Sequence, residues 1–106
     1  MWGALYNLNM RIISRKALRE FWETHTDAQK ALEAWYLDTK QAKWKTPSDI
    51  KDVYRNVSFV ANNRVVFNIK GNRYRLVVVI LYKKGIVYIR FVGTHSEYDK
   101  VDVTRI

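Results

Sequence analysis

The stretch from Val65 to Val92 leaves this chain little freedom in what it folds into. VVFNI, YRLVVVILY and IVYIRFV are dense in β-branched and aromatic residues, and glycine-containing turns separate them, so three successive antiparallel strands are expected. No other run is apolar for long enough to build a sheet. Whatever precedes these strands must supply their cover, and whatever follows hangs from the last of them.

The preceding segment has the pattern of such a cover. Met10 to Ile13 reads as a short strand and Ser14 as the N-cap of a helix. Ala17, Leu18, Phe21, Trp22 and His25 fall on one helical face, with Arg15, Lys16, Arg19, Glu20 and Glu23 outside it. Thr26 or Asp27 is expected to cap a second helix with the stripe Ala28, Ala31, Leu32, Trp35 and Tyr36, ending between Lys40 and Lys43. The two form a helical hairpin. Pro47 to Ile50 reads as a single helical turn with Ile50 and Val53 directed inward, Asn56 to Ala61 as a strand, and Asn62-Asn63 as a tight hairpin turn. The expected fold class is α+β, a helical hairpin packed on a mainly antiparallel sheet of four to five strands.

With 106 residues, the chain has room for one core. Residues 10–106 read as that single domain, and residues 1–9, apolar in places but with no firm period, as an N-terminal extension or added element. Cysteine is absent, which excludes disulfides, thiol catalysis and thiolate metal sites. His25 and His95 alone do not advertise a histidine metal site, so neither a metal nor another cofactor is expected. No signal peptide opens the chain and no apolar run approaches a membrane span, pointing to a soluble, cytoplasmic protein. Nineteen Lys and Arg against ten Asp and Glu give a net charge of +9. Such a field attracts polyanions: nucleic acid, an acidic protein or a membrane surface. The membrane is the weakest of these, because no Lys/Arg-rich amphipathic helix occurs.

Period-two alternation puts Tyr74, Leu76, Val78 and Ile80 on one side of the long strand and Arg75, Val77, Val79 and Leu81 on the other. On the last strand the same rule groups Tyr88, Arg90, Val92 and Thr94 against Val87, Ile89 and Phe91. Arg75 interrupts an apolar strand, where an unpaired guanidinium is costly, so it must reach solvent, a carboxylate or a bound anion. Arg90 poses the same question next door. Thr94 is placed to cap a short helical turn that sets His95 and Tyr98 three apart on one side. Histidine suits proton transfer or phosphate contact near neutral pH, and tyrosine suits hydrogen bonding or stacking on a base. Each residue has a plainer reading as well: a turn histidine, and an aromatic covering the sheet edge. Lys43, Lys45, Arg64, Lys70 and Arg73 are candidates for an RNA-backbone rim, or else solubilising charges, and Asn68 and Asn72 for orienting a phosphate or base. A histidine, a tyrosine and an arginine in one cleft have the chemistry to cleave RNA without a metal. The residues alone leave that reading beside a basic domain that only binds RNA, the ribosome or an acidic protein.

The segments MRIISRKALREFWE, VVFNIKGNRYRLVVVI and VYIRFVGTHSEYD, in this order in a basic chain of this length, resemble the HigB-type toxins of the RelE-like superfamily. The resemblance runs from about Met10 to Asp99. It implies two helices on an antiparallel sheet and a metal-independent mRNA interferase acting in the ribosomal A site, leaving a 2',3'-cyclic phosphate or its 3'-phosphate product. It also implies a helix-turn-helix antitoxin of the HigA type as partner, with operator DNA reached through the complex. Arg75 then matches a phosphate-stabilising arginine, His95 a general acid or base, and Tyr98 a stacking or proton-relay tyrosine. The basic run of the RelE branch is reduced here to His95 among polar neighbours.

Overall fold

The computed structural model describes residues 9–106; the expected extension lies, but for Asn9, outside the described residues. Five strands, β1 (Arg11–Ile13), β2 (Ser58–Val60), β3 (Arg64–Ile69), β4 (Tyr74–Leu81) and β5 (Ile86–Thr94), form one sheet in the order β1-β5-β4-β3-β2. β2 to β5 are antiparallel neighbours, and β1 joins the far edge parallel to β5. The helices are α1 (Arg15–Thr24), α2 (Gln29–Gln41), α3 (Pro47–Val53) and the short α4 (His95–Tyr98). The expected α+β class is what the chain adopts.

Turn chemistry explains how the meander closes. Asn62 and Asn63 both take positive φ, 64° and 62°, the left-handed geometry that lets a tight hairpin follow the strand twist. One face of the sheet is packed by helices: Val65, Phe67 and Ile69 of β3, Leu76, Val78 and Ile80 of β4, and Val87 of β5 meet Leu18, Trp22, Leu32 and Trp35. Phe67 is the hub. The rings of Trp35, Trp44 and Tyr54 stand 5.4, 6.1 and 5.1 Å from it, two of them edge-on.

The other face is covered too, by the chain's last residues. Arg64 donates from Nε and Nη2 to the Ile106 carbonyl at 3.1 and 2.6 Å, and Asn62 donates to the Thr104 carbonyl at 3.3 Å. The C-terminal stretch therefore runs from α4 back across the sheet to the β2–β3 hairpin. Val66 and Val77, which point away from the helices, are 3% and 0% exposed.

Four expectations are corrected. Neither Thr26 nor Asp27 caps α2; they sit in a 3₁₀ turn, Thr26–Ala28, that leads into the helix, and the Asp27 carboxylate engages β4 instead. Pro47 opens a seven-residue helix rather than one turn, because proline is well suited to the first helical position and Thr46 with Asp49 completes a capping box in front of it. Ile50 is buried there, but Val53 is 63% exposed. The facing of β5 is also different. Val77 pairs with Phe91 but Val78 with Ile89, so Arg90 is the extra residue of a β-bulge. Alternation breaks at that point: Val87, Ile89 and Val92 share the helix-packed face, while Tyr88, Phe91 and Gly93 lie opposite with Arg75.

Candidate active site

β4 and β5 run the length of the sheet, and the end where β5 gives way to α4 gathers the chemistry. Arg75 stands on the face away from the helices, between Asn68 of β3 and Gly93 of β5. Its Nη1 donates to the carbonyls of Asn72 and Tyr74 at 2.9 and 3.3 Å, and its Cζ lies 5.8 Å from the centroid of the Tyr98 ring. The cation is thus held by two carbonyls and an aromatic face, with no carboxylate to neutralise it among the described residues.

Local sequence dictates α4. Thr94-His95-Ser96-Glu97 is a capping box: Glu97 N–H donates to Thr94 Oγ1 at 3.1 Å, and Thr94 N–H donates to Glu97 Oε1 at 2.8 Å. The Thr94 backbone N–H, and after it the Thr94 side chain, hold the Glu97 carboxyl below its ordinary value of 4.5. The box fixes His95 as the first helical residue and brings Tyr98 round one turn later, a spacing that sets Cβ atoms roughly 5–6 Å apart. His95 Nδ1 lies 3.1 Å from Asp99 Oδ2, which leaves Nε2 for an incoming group; the ring is about half exposed. Beneath Tyr98 lies Phe91, with ring centroids 6.5 Å apart. A Cβ at Gly93 would come within 2.5 Å of Phe91 Cζ, so glycine is what lets that ring fold across the strand opposite Arg75.

Behind the site, Asp27 ties the start of β4 to the helical layer. Its Oδ2 accepts from Arg73 Nη1 at 2.7 Å and its Oδ1 accepts from the Tyr74 hydroxyl. Tyr74's bond first and Arg73's second hold the Asp27 carboxyl below its ordinary value, and the bond to Asp27 pushes the Tyr74 phenol up. His95 N–H in turn donates to the Arg73 carbonyl at 3.3 Å, so this clamp reaches the first residue of α4. His25 stacks on Phe21 at 4.1 Å and meets Tyr74 edge-on, a packing role.

Of the residues singled out in the sequence, Arg75, His95, Tyr98, Asn68 and Asn72 lie at this one end; Asn68 Nδ2 donates to Asn72 Oδ1 at 3.3 Å. Lys70 is exposed at the same end, in the β3–β4 turn, whereas Arg73 is occupied by Asp27. Arg64 is bound to the C-terminal stretch, and Arg90 sits exposed in the mid-strand bulge. Lys43 and Lys45 are at the opposite end, beside the β4–β5 turn. Three further contributors, Asp99, Glu97 and Asp27, do not stand out in the sequence as site residues. The His95–Asp99 pair has the i,i+4 spacing that betrays it and Glu97 the capping-box spacing, but Asp27 lies 46 residues from Arg73, beyond any local pattern. Among the described residues no group of three His, Asp or Glu is placed to hold a metal.

A family model for the HigB toxin, the RelE-like toxic component of a toxin-antitoxin system, matches residues 28–101. The chain is 30% identical over 92 residues, 85% of its length and 88% of the relative's, to the mRNA interferase toxin HigB of Escherichia coli K12. The mRNA interferase HigB of Shigella flexneri matches to the same extent, and that of Escherichia coli O6:H1 is 26% identical over 94 residues, covering 87% of this chain and 91% of the relative. On the strength of both the family match and these relatives, the chain belongs to the HigB family of RelE-like toxins, the toxic half of a toxin-antitoxin system.

Proposed function

We propose that this toxin is a metal-independent endoribonuclease that cuts mRNA in the ribosomal A site. The observation that carries the reading is the grouping of an un-neutralised arginine, an aromatic face under it and a carboxylate-oriented histidine at one end of the sheet. The 2'-hydroxyl loses its proton to a general base and its oxygen attacks phosphorus. The bond to the 5'-oxygen breaks, that oxygen takes a proton from a general acid, and a 2',3'-cyclic phosphate remains. Arg75 offsets the charge that builds on the phosphoryl oxygens, and its two carbonyl bonds keep it in place before substrate arrives. His95 moves one of the two protons through Nε2, with Asp99 steadying Nδ1. Tyr98 stacks against a base or relays a proton, on the floor that Phe91 provides.

The relatives' names, all mRNA interferases, support the same activity. Its partners on this reading are mRNA, the ribosome and a helix-turn-helix antitoxin of the HigA type, which carries the complex to operator DNA, and its place is the cytoplasm. No described helix is long and apolar enough to cross a membrane.

The test is induced expression with mapping of mRNA ends, together with purified protein on programmed ribosomes. Cuts that vanish in Arg75→Ala and His95→Ala variants of unchanged melting temperature support the nuclease. Equal cutting by wild type and variants removes these residues from the reaction, and no cutting by the wild type leaves a basic RNA- or ribosome-binding module.

A further inference from the structure

The cavity that gathers Arg11, Lys43, Lys45, Lys83 and Lys84, about 640 Å³, lies at the far end of the sheet from the chemistry. A smaller one, about 270 Å³, adjoins the candidate active site, and it arises from a mismatch of strand lengths. β3 runs to Ile69, but β2 pairs only with Arg64 to Val66, so Phe67, Asn68 and Ile69 stand at the sheet edge beyond the end of β2. The chain leading from α3 into β2 passes that gap as a tight turn. Val57 N–H donates to the Tyr54 carbonyl at 3.2 Å, which puts Arg55 and Asn56 at the two corners with their side chains exposed. Both feet of the turn are held: Lys51 Nζ donates to the Val57 carbonyl at 3.4 Å, and the Tyr54 hydroxyl donates to Asp38 Oδ2 at 3.2 Å.

The lining is mixed in a way that suits a base and not only a phosphate. Half-buried Tyr54 and exposed Val53 give it apolar walls, and Phe67, edge-on at 5.1 Å, keeps the Tyr54 ring in place. Arg55, Asn56 and Asn68 give it polar groups, with no Asp or Glu among the described residues that line it. Arg55 has no carboxylate within 4.0 Å among the described residues. Asn68 Nδ2 is engaged by Asn72, which orients the amide and leaves its oxygen to accept. Asn68 also stands opposite Arg75 in the β3–β4 ladder, one strand spacing of about 4.8 Å away. RNA whose phosphate meets Arg75 can therefore set a neighbouring nucleotide at the mouth of this cavity. Side-chain amides and guanidinium groups pair with a base through two hydrogen bonds at once: asparagine with N6 and N7 of adenine, arginine with O6 and N7 of guanine. A pyrimidine offers no such pair on the corresponding edge. We propose that the cavity is a base subsite, which admits a purine of the mRNA beside the phosphate that is attacked, with Arg55 and Asn56 reading its N7 edge. Since the two readers favour different purines, the class is selected and not a single base. The inference rests on the nuclease reading above and adds to it a choice of substrate.

The test is single-turnover cutting on ribosomes programmed with messages that differ at one nucleotide beside the cut. At one of the two flanking positions the wild type should cut a purine message about tenfold faster than a pyrimidine message, and a 7-deazapurine, which lacks N7, should be cut as slowly as the pyrimidine. In the Arg55→Ala/Asn56→Ala variant the purine rate should fall to the pyrimidine rate, and the deaza substitution should have no further effect. Both residues are exposed in a turn, and thermal melting checks that the variant folds. A wild type indifferent to purine and pyrimidine overturns the proposal. So does a double variant that slows both messages alike and keeps their ratio, since Arg55 would then be a contact for the backbone only. Binding of the labelled protein to ribosomes carrying the same messages, 2'-O-methylated so that they are not cut, separates this subsite from the nuclease reading. Purine-dependent binding by a wild type that never cuts sinks the nuclease and keeps the subsite; cutting without base preference does the reverse, and a wild type that shows neither loses both.

Discussion

The two ends of the β4–β5 pair are both cationic and are built on opposite plans. At the Thr94 end three groups are held by partners of their own, Arg75 by two carbonyls and the Tyr98 ring, His95 by Asp99 and Arg73 by Asp27, with Lys70 exposed beside them. At the Gly85 end five cations converge, none with an ion-pair partner among the described residues. Fixed groups suit a reaction, where an ångström matters, and loose ones suit an attraction that any phosphate satisfies. The chain's net charge of +9 does not separate them.

Removing the fixed groups puts this contrast to its most severe test. Arg75→Ala or His95→Ala should lower ribosome-dependent cleavage about 10²–10³-fold with the melting temperature nearly unchanged, in single-turnover assays. A loss under tenfold would mean that the Thr94 end, too, works by attraction. Next in size is the scaffold: Thr94→Ala removes the capping hydroxyl of α4 and should cost about 1 kcal/mol in urea unfolding while loosening both His95 and Tyr98. Tyr98→Phe keeps the ring beside Arg75 and should cost only a few-fold in cleavage if stacking is its part, whereas a loss as large as that of His95→Ala would assign it the proton.

The smallest effect is a matter of pH. Asp27 is lowered from its ordinary 3.8 by Tyr74 and Arg73, so its contribution to stability is complete above that value and fades as pH falls through the shifted one. Thermal melting of wild type and Asp27→Asn should therefore differ at pH 6 and converge as the pH drops well below 3.8. A constant difference would show that the clamp acts through shape rather than charge.

Much of this architecture is legible in the sequence because the physics that fixes it is local. The strands follow from β-branched runs, the α2 stripe from period 3.6, the hairpin from Asn62-Asn63, and α4 from Thr94 as its cap. Arg75 stands out because a guanidinium inside an apolar strand demands an explanation. What stays hidden depends on tertiary meetings. Asp27 reads as a helix cap because its true partner, the Tyr74 hydroxyl, is 47 residues away. Lys43 and Lys45 read as part of one RNA-backbone rim with Lys70 and Arg73 because the loop carrying them has no period to aim it, and the fold sets them beside the β4–β5 turn instead. The facing of β5 departs from expectation at one residue, since alternation has no means of announcing a bulge.

Arg90, that one residue, is a spacer that the gene could lose. A three-base deletion removing its codon keeps the reading frame, and Phe91 would then follow Ile89 as directly as Val77 precedes Val78, their partners on β4. Phe91 and Gly93 would stay away from the helices and Val92 and Thr94 toward them, and the short helix bearing His95 and Tyr98 would leave β5 on the same side of the sheet. Loss of the neighbouring Ile89 codon, no larger a lesion, would instead draw Arg90 into the ladder opposite Val78, on the helix-packed face.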